Sequence, residues 1–354
     1  MRLGILFVVL LLVFSCKKDK PFGPQGLEET VSEVDTAVTH FYVINEGNFT
    51  LSNASITDYE IETVTSRQNA FEQANKQALG DVAQSLLVSG NTGYLFINNS
   101  NEVIKVSLPS LKEQARMTVQ SPRYGLITST GELWVTSLNK KDIFVLDTSN
   151  LNITKTLVAN DWLEELVEAD NHIFACNVNQ HAVDVYSLEG KQIKSIAVGN
   201  QPQSIVVDNK GMVWVLCDGG FNPRDREKAR LLRIDPISFA ITFDYEFKDI
   251  EHSPTRLNYN ITNQRLYFIN RAVYSFPVDL SEIAPTTTTT PSEIFKQEGA
   301  NFYGLGIDAQ SGNVIVTDAK DYSKKGIAYV LSSSGQLLYD FETGVIPQDV
   351  VVYR

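Results

Sequence analysis

Cysteine is scarce in this 354-residue chain: only Cys16, Cys176 and Cys217 occur. That rules out a disulfide framework as the source of stability. Histidine is nearly as rare, with His40, His172, His181 and His252. No HExxH, GxSxG, P-loop or CxxC word appears, so no catalytic or metal-ligating motif is visible and the chain is read as a non-enzyme without a cofactor. Basic residues are outnumbered, 30 Lys and Arg against 42 Asp and Glu, for a net charge of −12. An acidic surface lacks the cationic patches that nucleic acid demands, so nucleic acid is excluded as a partner.

Apolar runs are short everywhere except at the start, MRLGILFVVLLLVFS. The run from Leu3 to Phe14 is too short for a spanning helix and reads as a secretory signal over residues 1–15. The VFSC word resembles a bacterial lipoprotein box, which assigns lipidation to Cys16. Acyl chains there would anchor the protein to a membrane, since each buried CH₂ contributes ~0.8 kcal/mol. Residues 16–38 then read as the lipidated cysteine and a flexible tether, with Pro21, Gly23, Pro24 and Gly26 followed by polar and acidic residues. Within it, Asp35-Thr36-Ala37 resembles the O-glycosylation signal of Bacteroidetes surface proteins.

What is abundant is a repeated apolar word. YVIN at 42, LFIN at 95, WVTS at 134, IFAC at 173, WVLC at 214, YFIN at 267 and IVTD at 315 share a pattern. The second letter is Val or Phe, and the fourth is small and polar or sulfur-bearing. Spacings of 53, 39, 39, 41, 53 and 48 residues mark a repeat architecture. Around the fifth word the chain reads QPQSIVVDNKGMVWVLCDGG, then ARLLRID, then ISFAITFDYEF. That is four strands bounded by turn residues, the pattern of one β-propeller blade. DWLEELVEA, from Asp161 to Ala169, could form a short helix but sits where an inner strand belongs, and is read as a strand. The first word lacks a strand before it, while PQDVVVYR at the end has no word of its own. The fold is therefore predicted to be all-β: a seven-bladed β-propeller over residues 39–354, closed when the C-terminal strand completes the first blade. Closure removes exposed strand edges. Cys176 and Cys217 fall at equivalent points of neighbouring blades, too far apart for a disulfide, and read as packed free thiols.

In such a blade, the lead-in to the inner strand and the loop after the repeated word share one face with the channel mouth. The lead-ins are ALGDVAQS, SPRYG, NDWLEE, NQPQS, HSPTR, ANFYG and VIPQD. Together with the loops they are rich in amides, arginine and aromatics, which suits a large polar organic ligand or a partner protein. The candidate ligand residues are Asn45, Asn98, Arg123, Tyr124, Trp162, Arg256, Arg271, Phe302, Tyr303, Asp321 and Tyr322. Turn capping competes at Asn45, Asn98, Asn270 and Asp318. Inter-blade salt bridging competes at the arginines, and packing under the loops at Trp162, Phe302 and Tyr303. Asp318, Asp321 and Tyr322 crowd two carboxylates at one loop, which could hold Ca²⁺, although calcium usually takes about six or more oxygens and no metal site is assigned. FNPRDREKA, 221–229, is the longest of these loops and a candidate flap. The runs EELVEAD and KDIEH read as solvated faces, and PTTTTTP, 285–291, as a polar loop of the sixth blade.

YVINEGNF, LGDVAQSL, SPRYG, NQPQSIVVDNKGMVWVLCDGG, NFYGLGIDAQSGNVIVTDAKDYSKKGIAYV and GVIP resemble a family of Bacteroidetes lipoproteins, the YncE-like seven-bladed propellers. The resemblance covers most of residues 40–354. That family includes a surface lipoprotein that captures cobalamin and covers the TonB-dependent cobalamin transporter. The resemblance thus implies a lipid-anchored, cell-surface protein of the outer membrane. Its partner would be a TonB-dependent transporter, and its ligand a cobamide such as cobalamin. The alternatives are a lactonase-like propeller hydrolase with a metal in the channel, and a protein-interaction scaffold with a flat apolar face.

Overall fold

The computed structural model describes residues 39–279 and 290–354. The signal, Cys16, the tether and residues 280–289 of the sixth blade, with most of the threonine run, lie outside the described residues. Seven antiparallel sheets of four strands each form the ring of a β-propeller. The repeated words lie in the second strands: His40–Asn45, Thr92–Ile97, Glu132–Ser137, His172–Asn177, Val213–Cys217, Arg265–Ile269 and Val314–Asp318. The first strands line the channel: Pro347–Tyr353, Ala83–Ser89, Pro122–Ile127, Leu163–Ala169, Pro202–Val207, Thr255–Asn260 and Phe302–Ile307. Pro347–Tyr353 pairs with His40–Asn45, so the ring closes through the two ends of the described chain, as the sequence predicts. Leu163–Ala169 is a strand, also as expected.

The repeated word is apolar at successive positions because each second strand is buried on both sides. Ile173 and Ala175 pack toward the third blade, while Phe174 and Cys176 pack toward the fifth. Tyr42 and Ile44 face the second blade, and Phe41 and Val43 face the seventh. Among the described residues, one apolar cluster fills each of the seven blade junctions. Cys176 and Cys217 are buried free thiols whose pKa values burial pushes up, which keeps them inert. Among the described residues one short helix, Ala70–Asn75, links the first two blades and was not legible in the sequence. It buries Phe71 at that junction, and its Asn75 bonds the backbone of Leu111 and Glu113.

Every channel strand carries a β-bulge near its start. Pairing skips from Ala83 to Ser85, Pro122 to Gly125, Leu163 to Leu166, Pro202 to Ser204, Thr255 to Asn258 and Phe302 to Leu305. The strand Pro347–Tyr353 skips from Pro347 to Asp349. A bulge leaves a residue unpaired and re-aims its side chain. Here it does so seven times at one level, at Gln84, Arg123, Glu164, Gln203, Arg256, Tyr303 and Gln348. The seventh blade needs glycine beside its bulge: a Cβ on Gly304 would sit 2.8 Å from the Gln348 carbonyl oxygen.

Candidate functional site

The seven bulged side chains bring polar groups together around the channel mouth. Arg123 from the third blade donates to both carboxylate oxygens of Glu164 from the fourth, at 2.8 and 3.1 Å, and to Gln84 of the second. The Trp162 indole donates to the same carboxylate at 2.6 Å. Gln203 of the fifth blade donates to Asp218 at 2.7 Å, at the root of the 221–229 loop. Arg256 of the sixth blade reaches across the channel to the Tyr124 hydroxyl at 2.8 Å, and also donates to the Tyr303 carbonyl at 3.1 Å and to Gln348. Tyr124 accepts a second bond from Gln84 at 3.0 Å. Hydrogen bonds therefore span the full width of the channel.

Above this layer lies a cavity of about 360 Å³, lined by Glu46, Trp162, Glu164, Phe302, Tyr303 and Gln348 among others. Beneath it lies one of about 220 Å³ that includes Ser85, Asn258 and Asp349. Both are lined by Tyr124, Glu165 and Arg256.

Among the described residues, no carboxylate lies within ion-pair distance of Arg256, and its three acceptors are all neutral oxygens. It also holds φ of 61°, a left-handed conformation that an arginine rarely adopts and that costs of order 1–3 kcal/mol. Burial works against its charge, but Tyr124, Tyr303 and Glu165 around it hold its pKa above the ordinary value. The nearby carboxyls are pushed toward their neutral form. Burial raises Glu165 to about 8, although the Ile205 amide bonds it at 3.0 Å. Burial likewise raises Asp349, bonded by the Leu86 amide at 3.1 Å, and Glu46, bonded by Tyr303 at 3.4 Å. Burial also pushes the Tyr124 hydroxyl up to about 12. The mouth thus holds one paired guanidinium, Arg123, and one without a carboxylate partner, Arg256, beside acids biased toward neutrality.

Glu165 makes stability pH-dependent with a definite sign. Between about pH 4.5 and 8 the folded chain holds this proton and the unfolded chain releases it. Stability therefore falls as pH rises through that window. Glu165→Gln removes the titration while keeping an acceptor for Ile205. Its melting temperature is expected to exceed the parent's near pH 8 and to approach it near pH 4.5. Thermal melts of both proteins across that range provide the check, and parallel curves would refute the assignment.

Six of the sequence candidates converge on the mouth: Arg123, Tyr124, Trp162, Arg256, Phe302 and Tyr303. Tyr322 stands at the rim, 44% exposed and edge-on to Tyr303 at 5.7 Å between ring centroids. The other four do not join them. Asn45 is fully buried and ties the first blade to the seventh, accepting from the Gly344 amide at 3.0 Å. Asn98 is buried and donates to the Pro122 carbonyl at 3.1 Å. Both do the backbone work that competes with ligand contact. Arg271 lines a separate depression with Glu251 and His252, and Asp321 is exposed and paired with Lys324 at 2.8 Å.

Sequence reasoning missed Gln84, Glu46, Gln203 and Gln348. It also misread EELVEAD as a solvated face, whereas Glu164 is only 3% exposed and lies at the centre of the network. Stacking the seven lead-ins in register would have found the bulged residues, because each stands at the same place in its word. Among the described residues, no group of three or more His, Cys, Asp or Glu side chains is arranged to hold a metal ion. No described helix is long and apolar enough to cross a membrane.

Solved propellers resemble this chain in fold. A quinonprotein alcohol dehydrogenase-like protein from Bacteroides thetaiotaomicron superposes with a TM-score of 0.67 at 16% identity, covering 88% of this chain and 77% of that one. The periplasmic gluconolactonase of Pseudomonas aeruginosa gives a TM-score of 0.67 at 12% identity, covering 90% and 99%. At these identities the likeness concerns the fold alone. Among curated proteins, alveolysin of Paenibacillus alvei is 24% identical over 327 residues. The match takes in 85% of this chain, which spans only 59% of that protein's length. The family profile for a domain of unknown function, DUF5074, matches residues 39–343. That match runs from the first described strand to the last strand of the seventh blade, and the chain belongs to the DUF5074 family.

Proposed function

We propose that the channel mouth is a binding site for a polar organic ligand that carries an acceptor group, a carboxylate or a phosphate. The observation that carries this reading is Arg256: a half-buried guanidinium with no counter-ion among the described residues, held in a costly backbone conformation at the centre of a polar ring. Strain of this kind persists where the surrounding structure holds it in place, and it clusters at ligand sites. The cavity volume of about 360 Å³ lies at the low end for small-molecule sites. A larger ligand would place one arm in the cavity and rest its body on the rim, against Trp162, Phe302 and Tyr322.

A cobamide fits this description, since it offers a phosphate and amide arms around a broad ring. Together with the lipoprotein-like start and the resemblance to cobalamin-capturing propellers, this supports a specific role. In that role the protein is lipid-anchored at the outer-membrane surface, captures a cobamide and delivers it to a TonB-dependent transporter.

Calorimetry of fragment 39–354 with cobalamin tests the ligand. Saturable binding is expected, and Arg123→Ala, Tyr124→Ala and Tyr303→Ala are each expected to weaken it roughly ten- to a hundredfold. Lys210→Ala, in the turn before the fifth second strand and paired with Asp279 at 3.7 Å, should leave it unchanged. No heat and no thermal shift would remove the cobamide. A lactone consumed on mixing with the protein would favour the lactonase-like alternative, which shares this fold.

A further inference from the structure

We propose a second binding site, for a neutral saccharide, in the cleft between the fourth and fifth blades. It does not depend on what occupies the channel mouth. The cleft encloses about 430 Å³ and is lined by the loops after the fourth and fifth second strands and by the lead-in at Asn200 and Gln201. It shares no lining residue with the mouth cavity.

Three features define its chemistry. First, Phe221 is 78% exposed on a loop that is otherwise pinned. Asn200 donates to the Asp225 carbonyl, and the Glu227 amide donates to the Gly219 carbonyl at 2.8 Å. A flat ring held in water by an ordered loop is a stacking platform for the apolar face of a sugar.

Second, the polar groups around it have capacity to spare. His181 Nδ1 accepts from the Gln201 amide at 3.3 Å, which leaves Nε2 as the protonated donor of the neutral ring. Asn179 uses its amino group on Asp161 at 3.0 Å and keeps its carbonyl as an acceptor. Asp225 has one oxygen engaged by Asn222 at 2.9 Å and a second to offer. Gln201 is only 8% exposed, and its Oε1 is buried without a hydrogen-bond partner among the described residues. A buried acceptor without a donor is costly, and rotation of the amide toward an incoming hydroxyl would relieve it. Donors and acceptors mixed in this way match vicinal hydroxyls, each of which does both.

Third, no described lysine or arginine lines the cleft, and the formal charge on its lining is the carboxylate of Asp225. That selects against anions and for neutral polyols.

The test is titration of the full chain with glucose, galactose, mannose, N-acetylglucosamine, maltose and cellobiose, followed by calorimetry. At least one is expected to bind saturably with a dissociation constant of roughly 1 mM or tighter. Phe221→Ala changes an exposed side chain and should fold normally while weakening that binding roughly five- to tenfold. Asp225→Asn should weaken it as well, and Arg123→Ala should leave it unchanged. The proposal is overturned if none of the six sugars binds. It is equally overturned if binding survives Phe221→Ala intact, or if Arg123→Ala abolishes it, which would assign the sugar to the mouth.

Discussion

Removal of residues 348–354 is expected to prevent the ring from forming. The strand they belong to pairs with His40–Asn45 along its whole length. It also packs against the channel strands on either side: Asp349 accepts from Leu86 of the second blade, and Arg354 pairs with Asp308 of the seventh. Val350 and Tyr353 fill the two flanking junctions. Without the strand, Phe41, Tyr42, Val43 and Ile44, all fully buried, lose cover along one edge. Full exposure of such a side chain costs about 1.5–3 kcal/mol. Even partial exposure of four of them, with a row of ladder hydrogen bonds lost, approaches the ~5–15 kcal/mol that typically separates folded from unfolded states. The exposed edge would also template association between chains. A truncation lacking residues 17–30, read from sequence as part of a tether, is expected to melt like the parent. Thermal denaturation and size-exclusion chromatography of the two truncations make the comparison. Equal melting would mean that the C-terminal strand does not close the ring energetically.

Replacement of Arg256 by Met is expected to abolish most ligand affinity while changing stability little. Two effects on stability oppose each other. Loss of the guanidinium takes a donor from the Tyr303 carbonyl and the Gln348 side chain, and each acceptor left unsatisfied costs about 1–3 kcal/mol, while the Tyr124 hydroxyl keeps its bond from Gln84. The same change removes a partly desolvated charge with no counter-ion among the described residues, and the desolvation it no longer costs offsets part of that loss. The left-handed backbone at this position is kept, so its strain does not change sign. For binding, nothing opposes the loss: a charge-assisted hydrogen bond to ligand contributes about 1.5–3 kcal/mol, roughly ten- to a hundredfold in affinity. Cobalamin calorimetry reads the affinity and thermal melts read the stability. A second readout needs no ligand. Arg256 lowers the pKa of Glu165, Glu46 and Asp349, so its removal should move the pH dependence of stability further upward. A melt profile identical to the parent's in its pH dependence would show that Arg256 does not govern the charge of the mouth.

The repeated word could be read from the sequence because its cause is local. A strand buried on both sides must be apolar at successive positions, and a ring of like blades must repeat that pattern at blade spacing. Ring closure followed by the same logic, from a second strand without a first and a first strand without a second. Phe71 and its short helix were not legible, because six residues hold too little periodicity to separate helix from loop. Arg123, Tyr124, Arg256 and Tyr303 stood out by residue type in otherwise similar lead-ins.

Their arrangement belonged to the tertiary structure alone. Whether a lead-in residue points into the channel depends on a bulge, and a bulge exists only once two strands have paired in register. Glu164 and Glu165 look like surface acids in their own segment. They become a buried salt-bridge partner and a carboxyl biased toward neutrality only beside Arg123, 41 residues away from Glu164, and the Ile205 amide of the next blade. Arg256 and Tyr124 are 132 residues apart and meet only because the third and sixth blades face each other across the ring. Local sequence determined which residues form strands and how many blades they make. Closure of the ring decided which side chains lose water together, and that shared desolvation sets the charge of the site.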